Sequence, residues 1–221
     1  MPRLFKYISS RYTATTLYRG ELLFRNLTYF RQQEGKVRGD PYEGIHKDHP
    51  GTEQVISNLT RSIELRGPFS FLHSTDSDLI FAYCLSNRLG ADLASAFSAD
   101  TVIEITDSVE LVRRISFTLR RVLSVHKAGV LARDVYYYRP DEPALFDVEE
   151  PKNLAFVKNR QYIEQDEFRI AFGTRRAFQL TRQIAQPHHD PYEEAMTKKA
   201  ANRLVRIGAI NDIARIVTTP A

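Results

Sequence analysis

Three polar side chains of different chemistry stand at every second position in one stretch, YIEQDEFRIAF, which spans residues 162–172. If this stretch is a β-strand, its two-residue period puts Gln165, Glu167 and Arg169 on one face and the apolar residues between them on the other. The apolar face is then expected to meet the core. An amide, a carboxylate and a guanidinium in a row form either a cross-strand ion-pair ladder or the wall of a binding site. The sequence pattern alone leaves both interpretations open.

Two more carboxylates, Asp40 and Glu43, lie in the early segment RGDPYEG, residues 38–44. One interpretation is an Asp-Pro turn in which Glu43 caps a helix or pairs with a base. The other is that both acids join Glu167 around Mg²⁺ or Mn²⁺, which prefer oxygen ligands and would suit a nuclease. Against the nuclease, Arg169 stands where such an enzyme needs a lysine, and arginine is a poor base.

Other residue types that carry chemistry form no recognisable site in the sequence. Cys84 is the only cysteine and lies in a continuously apolar segment, which predicts a packing role. His188, His189 and Asp190 are adjacent, but no further His or Cys cluster completes a zinc site. We therefore expect no metal bound by histidine or cysteine.

The hydrophobic pattern predicts an α+β fold with a mostly antiparallel or mixed sheet and a few helices. A first strand at 3–9, a short helix that ends near Gly20 and a buried strand at 77–86 precede the late strand. A long loop is predicted over 34–51, and residues 203–217 are expected to form a closing hairpin.

The strongest predicted helix covers residues 107–129, with Asp107 as its N-terminal cap and Gly129 as its stop. Its apolar stripe leaves a basic face, made of Arg113, Arg114, Arg120, Arg121 and Lys127. Such a face is either a solvated helix surface or a contact for phosphate or another acidic group.

Composition limits the class of protein. At 221 residues and 43% hydrophobic, the chain is expected to form one globular domain over 1–221. The formal net charge of +4 allows a nucleic acid or an acidic protein as partner without requiring either. A charged N-terminus without an apolar segment, a single cysteine and the lack of a run of about 20 apolar residues predict a cytoplasmic protein with no membrane partner.

Three segments occur together in one order: RGDPYEG (38–44), AYCLS (82–86) and FVKNRQYIEQDEFRIAF (156–172). The combination resembles a widespread bacterial and phage family that is catalogued as a domain of unknown function. Its members open with a Lys-Tyr strand, here Lys6 and Tyr7, and the resemblance covers roughly residues 4–172. Arg38-Gly39 replaces the usual Asn before Asp40-Pro41. The family carries no settled activity.

A second resemblance supplies chemistry. Gln165-x-Glu167 is similar to the Gln/Glu-x-Glu motif of ADP-ribosyltransferases of the arginine-serine-glutamate class. That resemblance implies NAD as cofactor, Glu167 as the residue that holds the nicotinamide ribose and stabilises an oxocarbenium-like transition state, and Gln165 as the acceptor-side residue. A carboxylate fixed beforehand stabilises positive charge that develops only in the transition state.

Under the same resemblance, the residues that contact the cofactor are expected to be Tyr7, Arg19 and Arg169, with Arg3 as an alternative to Arg19. The sequence thus leaves three functions open. They are an ADP-ribosyltransferase-like effector or toxin of bacterial or phage conflict, a non-catalytic regulator that binds nucleic acid or protein through the basic face, and a metal-dependent nuclease.

Overall fold

The computed structural model describes residues 3–32, 40–48, 54–58, 63–187 and 199–218. The strands, in chain order, are β1 (Leu4–Ile8), β2 (Glu21–Asn26), β3 (Ile45–Asp48), β4 (Gln54–Asn58), β5 (Ile63–Gly67), β6 (Phe69–Thr75), β7 (Ile80–Ser86), β8 (Thr101–Ile105), β9 (Val125–Asp134), β10 (Tyr136–Tyr138), β11 (Val157–Asn159), β12 (Glu167–Thr174), β13 (Leu180–Pro187), β14 (Asn202–Arg206) and β15 (Ala214–Val217). The α-helices are α1 (Thr13–Arg19), α2 (Leu27–Arg31), α3 (Ala91–Ala96) and α4 (Ser108–Leu119). Short 3₁₀ helices cover Ser10–Tyr12, Asn153–Phe156 and Arg160–Gln165.

Among the described residues, eight strands form the main sheet, and every pairing within it is antiparallel. The most central strand is β7, whose residues from Ile80 to Ser86 pair with β12 along their whole length. Outside β12 lies β9. The α+β class predicted from the sequence is confirmed.

The other edge of β7 is shared by two strands. Near its start, Ala82 pairs with Arg25 of β2, and at its end Ser86 pairs with Phe5 of β1. Because β1 and β2 both run antiparallel to β7 along the same edge, they must diverge between these two points. The sheet therefore forks. Beyond the fork, β2 carries β14 at its outer side, and β1 carries β8 and β15.

The side chain of Lys6 links β1 to β7 at the fork. Lys6 leaves β1 and donates a hydrogen bond from Nζ to the Cys84 main-chain carbonyl at 2.7 Å. Its ammonium also lies 4.2 Å from the centre of the Tyr83 ring. The carbonyl thus receives a donor at a point where a continuous sheet would supply a backbone N–H.

The segment that connects the two arms of the fork is α1. It ends at Gly20, whose φ of +59° lies in the left-handed region that favours glycine. A Cβ here would also lie 1.8 Å from the Gly208 carbonyl oxygen. Gly20 therefore ends the helix as the sequence predicted, and it lets β2 start immediately.

The sheet buries both faces. On one face, α4 packs its residues Leu111, Ile115 and Leu119 against the largest core cluster, which includes Ile170 and Phe172 of β12. Phe168 also packs against this cluster, so the predicted apolar face of the late strand is confirmed. The opposite face is the one that Glu167 and Arg169 share with Cys84 and Ala82, because these residues are in register.

Ala155, Phe156, Ala177 and Phe178 pack on that second face, against Ala82 and Ala171. The described residues also form smaller sheets. One has the order β13-β6-β3 and another is the hairpin β4-β5. A third is the parallel pair β10-β11, in which Tyr137 stands beside Lys158. The pair brings residues 136–138 and 157–159 together at the start of β12, where Tyr137 and Lys158 contact Glu167.

The helix predicted over 107–129 is wrong in its second half. Asp107 does cap it, accepting from the Glu110 N–H at 2.9 Å, but α4 ends at Leu119 and β9 begins at Val125. Pairing with the edge of β12 outweighs the local helix preference of this segment. Gly129, with φ of +70°, lies where the β9–β12 register shifts rather than at a helix stop.

The predicted closing hairpin is also wrong. β14 pairs with β2 and β15 pairs with β8, so the two strands lie on different arms of the fork. The loop predicted over 34–51 contains strand β3 within its described part, because residues 45–48 pair with β6. No helix in the described ranges is both long and apolar enough to cross a bilayer.

Candidate functional site

A cavity of about 610 Å³ opens in the fork between β1 and β2. Sites for small molecules usually measure roughly 300–1,000 Å³. The cavity has aromatic walls, formed by Phe5, Tyr7, Tyr12, Tyr29, Phe30 and Phe97. Cationic side chains also line it, namely Lys6, Arg11, Arg25 and Lys158. The fork thus creates a concave site within the sheet itself.

Three buried polar side chains of the cavity lining contact one another: Lys158, Gln165 and Glu167. Lys158 Nζ donates to Gln165 Oε1 at 2.8 Å and to Glu167 Oε2 at 3.2 Å. The other side of the carboxylate is held by Arg169, whose Nε donates to Glu167 Oε1 at 2.6 Å. Glu167 is therefore fixed in place at the inner end of the cavity.

Behind this floor lies a second carboxylate, Glu43, which does not line the cavity. Its Oε1 accepts a hydrogen bond from Arg169 Nη1, and its Oε2 lies 3.7 Å from Lys158 Nζ. Arg169 is fully buried and also donates to the Ala155 carbonyl at 2.9 Å. Two acids and two bases thus form one buried, charge-balanced cluster, Glu43–Lys158–Glu167–Arg169.

The cluster keeps its members charged. Burial alone would raise the pKa of Glu167, but the charges of Arg169 and Lys158 outweigh it and hold that pKa well below its usual range. Burial likewise opposes the charge on Lys158, yet Glu167 and Glu43 raise its pKa above the usual value. Glu167 therefore faces the cavity as a carboxylate.

Two further groups orient Glu167. Its backbone N–H donates to the Tyr137 hydroxyl at 2.9 Å. Burial and the neighbouring carboxylate raise the pKa of the Cys84 thiol, so the thiol stays protonated and hydrogen-bonds to Glu167. The apolar segment around Cys84 predicted a packing role, and the thiol also holds the candidate catalytic group.

Gln165 lines the cavity, but it does not lie in the strand to which the sequence pattern assigned it. It ends a 3₁₀ helix and does not belong to β12, because Asp166 takes a left-handed conformation with φ of +41°. The turn is held by Ser86, whose hydroxyl donates to the Gln165 carbonyl at 2.9 Å. Gln165 and Glu167 nevertheless meet at the same ammonium.

Asp40 lies beside the cluster, in the turn that carries Glu43. The turn follows the Asp-Pro prediction: Asp40 Oδ1 accepts from the Tyr42 N–H at 2.9 Å, and the Asp40 carbonyl accepts from the Glu43 N–H at 3.0 Å. Asp40 is fully buried. Burial and the Glu43 charge raise the pKa of Asp40 to about 6.

We expect Asp40 to make stability depend on pH. Between the ordinary carboxyl pKa of 3.8 and the folded value of about 6, the folded protein keeps the proton that the unfolded chain has lost. The contribution of Asp40 to the free energy of unfolding therefore falls by about 3 kcal/mol as the pH rises through this window. Urea unfolding of wild type and Asp40→Asn across the window measures it. The difference between the two curves should change by that amount, and parallel curves would contradict the assignment.

Tyr7 does line the cavity, as the cofactor prediction requires. Its hydroxyl donates to the Arg88 carbonyl and accepts from the Gly90 N–H, both at 2.9 Å, and its ring lies against Phe97 at 5.6 Å between centres. The ring is thus held rigidly on the cavity wall.

Arg19 and Arg3 are not brought to the site. Arg19 is exposed in the last turn of α1, outside the cavity lining. Arg3 is exposed and pairs with Glu104 on β8. Arg169, the third predicted cofactor residue, lies behind Glu167 and holds it, without lining the cavity.

Sequence reasoning missed three cationic residues of the cavity: Arg11, Arg25 and Lys158. Each arginine stacks on a tyrosine, Arg11 at 4.6 Å from the Tyr12 ring centre and Arg25 at 3.8 Å from that of Tyr29. Lys158 could have been found, because it precedes the Gln-x-Glu motif within the segment FVKNRQYIEQDEF. The two arginines carry no motif signal, since only the fork brings them to one cavity.

The predicted basic helix face is not one surface. Arg113 and Arg114 both pair with Glu110, and Arg114 also pairs with Asp212. Lys127 lies on β9, because the helix has already ended. Arg120 and Arg121 are exposed at the end of α4.

The geometry gives the metal hypothesis no support. Arg169 lies between Glu43 and Glu167, and Lys158 lies near both, so cationic side chains occupy the space between these carboxylates. Within the described part of the chain, no three His, Cys, Asp or Glu side chains form a group that could hold a metal ion. His188, His189 and Asp190 lie outside the described residues, as do Arg38 and Gly39.

Comparison with protein-family models, with curated proteins and with solved structures finds no match for this chain. Function must therefore be argued from the cavity and the charges around it.

Proposed function

We propose that the chain is an ADP-ribosyltransferase-like enzyme that takes NAD as substrate in the fork cavity and uses Glu167 as its catalytic carboxylate. The observation that carries the proposal is the position of Glu167. It is a buried, ionised carboxylate at the inner end of an aromatic cavity, fixed by Arg169 and Lys158. The likeness of Gln165-x-Glu167 to the transferase motif adds support.

The chemistry needs a fixed anion at that point. In the proposed reaction, the bond between the nicotinamide nitrogen and the ribose C1′ breaks, and its electron pair leaves with nicotinamide. A nucleophile of the acceptor then bonds to C1′ and releases its proton to solvent. Positive charge develops on the ribose in the transition state, and a carboxylate that needs no reorientation stabilises this charge.

The remainder of the cavity suits the same ligand. The rigid ring of Tyr7 and the neighbouring aromatic side chains offer faces for a nicotinamide or an adenine. Arg11 and Arg25 can contact the pyrophosphate, because a guanidinium binds phosphate oxygens in pairs. Gln165 shares the Lys158 ammonium with Glu167 and can orient an acceptor beside it.

Arg11→Ala tests the phosphate assignment. We expect NAD to bind about 10–150-fold more weakly to this variant, because hydrogen bonds to a charged group contribute about 1.5–3 kcal/mol. The matched control is Arg19→Ala, which removes an exposed arginine of the same region that lies outside the cavity. Calorimetric titration of NAD into both variants and wild type gives the comparison.

Equal affinities for all three proteins would contradict the phosphate assignment. A loss of affinity in Arg19→Ala alone would favour the arginine that the sequence suggested. No heat with any protein, together with no nicotinamide release in the presence of a cell extract, would contradict the proposed function.

A further inference from the structure

A basic surface lies where the end of α4 meets the turn after β12. Arg120 and Arg121 follow the helix, Lys127 lies on β9, and Arg175 and Arg176 follow β12; all five are exposed. Two contacts join these segments. Thr174 pairs with Val125, and Arg175 Nε donates to the Leu123 carbonyl at 2.9 Å. We call this set the turn patch.

The turn patch contains no opposing charge of its own. No acidic residue occurs from residue 111 to 133 or from 168 to 187. By contrast, Arg113 and Arg114, about two helical turns before Arg120 and Arg121, are neutralised by Glu110 and Asp212. Positive charge is thus concentrated at the turn patch and balanced along the helix.

An exposed aromatic ring lies within the patch. Phe117 is 55% exposed, and the Arg121 guanidinium lies 4.4 Å from the centre of its ring. Leu123, in the connection between α4 and β9, is 85% exposed. Cations beside an uncovered ring are the combination that binds single-stranded nucleic acid, in which phosphates meet the cations and bases stack on the ring.

We infer that the turn patch binds single-stranded nucleic acid. Its cations contact the phosphates, and Phe117 with its stacked Arg121 provides a platform for a base. The patch is separate from the fork cavity, because Glu167 and Thr174 stand at opposite ends of β12, about 24 Å apart at 3.4 Å per residue. The inference therefore does not depend on NAD chemistry.

The test is fluorescence anisotropy with a labelled oligothymidine of about 16 nucleotides, titrated with protein at salt concentrations from about 50 to 200 mM. Wild type should bind with an affinity that falls steeply with salt. Arg120→Ala/Arg121→Ala/Arg176→Ala should bind at least tenfold more weakly, with a salt slope about 2 smaller, since each lost phosphate contact on a single strand removes about 0.7.

A matched control removes the same charge elsewhere. Arg66, Arg139 and Arg206 are exposed arginines that pair with Glu64, Glu142 and Glu21. The triple variant Arg66→Ala/Arg139→Ala/Arg206→Ala should bind the oligonucleotide within about twofold of wild type, because balanced surface arginines contribute little. A loss equal to that of the patch variant would show a mere effect of net charge and overturn the inference.

Phe117→Ala separates stacking from charge. It should weaken oligothymidine binding at least fivefold and leave binding of inorganic polyphosphate unchanged, because only the oligonucleotide has bases to stack. Equal losses for both ligands would contradict the role of Phe117 as a stacking platform.

Binding to phosphatidylserine vesicles with no binding to the oligonucleotide would overturn the proposal in favour of an anionic membrane surface. Normal nicotinamide release by the patch variant on NAD alone would show that the cavity is intact.

Discussion

Replacing Glu167 by Gln is expected to lower the rate of nicotinamide release from NAD by about 10²–10³-fold. Glutamine keeps the shape of the side chain but not the charge that stabilises the ribose cation. NAD affinity should change much less, since the aromatic walls and the lining residues Arg11 and Arg25 remain. Steady-state rates with separately measured affinities distinguish the two effects.

The variant also disturbs the buried cluster, so it needs a control that loses the same kind of ion pair. Glu43→Gln provides one. Glu43 contacts the same two cations, Arg169 and Lys158, but does not line the cavity. We expect both variants to lose comparable stability in urea unfolding, because each leaves the buried cations with one carboxylate. Only Glu167→Gln should lose activity. Equal losses of activity would mean that the cluster acts as a whole and that Glu167 has no special role.

Replacing Arg169 by Met is expected to cost about 3–5 kcal/mol of folding stability. The guanidinium is fully buried and hydrogen-bonds to Glu43, Glu167 and the Ala155 carbonyl. Methionine fills part of the volume but leaves two buried carboxylates with Lys158 as their shared cation. Chemical denaturation of the variant measures the loss.

The surface variant Arg206→Met provides the comparison. Arg206 is 69% exposed and pairs with Glu21, so its loss should cost less than about 1 kcal/mol. Adding Glu43→Gln to Arg169→Met should recover part of the lost stability, because it removes one of the uncompensated charges. If adding Glu43→Gln to Arg169→Met costs as much folding stability as Glu43→Gln costs in wild type, Glu43 and Arg169 are not coupled. That result would contradict the ion-pair cluster.

The fold was predictable where local pattern and tertiary pairing agree. The first strand, the Gly20 helix stop and the apolar face of the late strand all follow from short periodic segments. Prediction failed where pairing with a distant strand, and not the local sequence, determines the structure. Residues 125–129 were expected in the helix, but they belong to β9 because β12 offers a free edge. The closing hairpin failed because β14 and β15 find partners on separate arms of the fork.

The candidate site was partly predictable for the same reason. Alternation placed Glu167 and Arg169 on one face, and the Asp-Pro turn was correct for Asp40. A local sequence pattern cannot predict the fork, since the fork results from β1 and β2 sharing one edge of β7. The approach of Arg11 and Arg25 to one cavity, and the pairing of Glu43 with residues more than a hundred positions away, therefore lay beyond sequence reasoning.

The central claim is that NAD binds in the fork with its nicotinamide ribose against residue 167. A crystal structure of Glu167→Gln soaked with NAD tests it most directly, because the variant should bind the substrate without consuming it. The account predicts a ribose hydroxyl within hydrogen-bond distance of the residue 167 side chain, about 3 Å, and the pyrophosphate beside Arg11. NAD bound elsewhere, or an empty fork at saturating NAD, would contradict it.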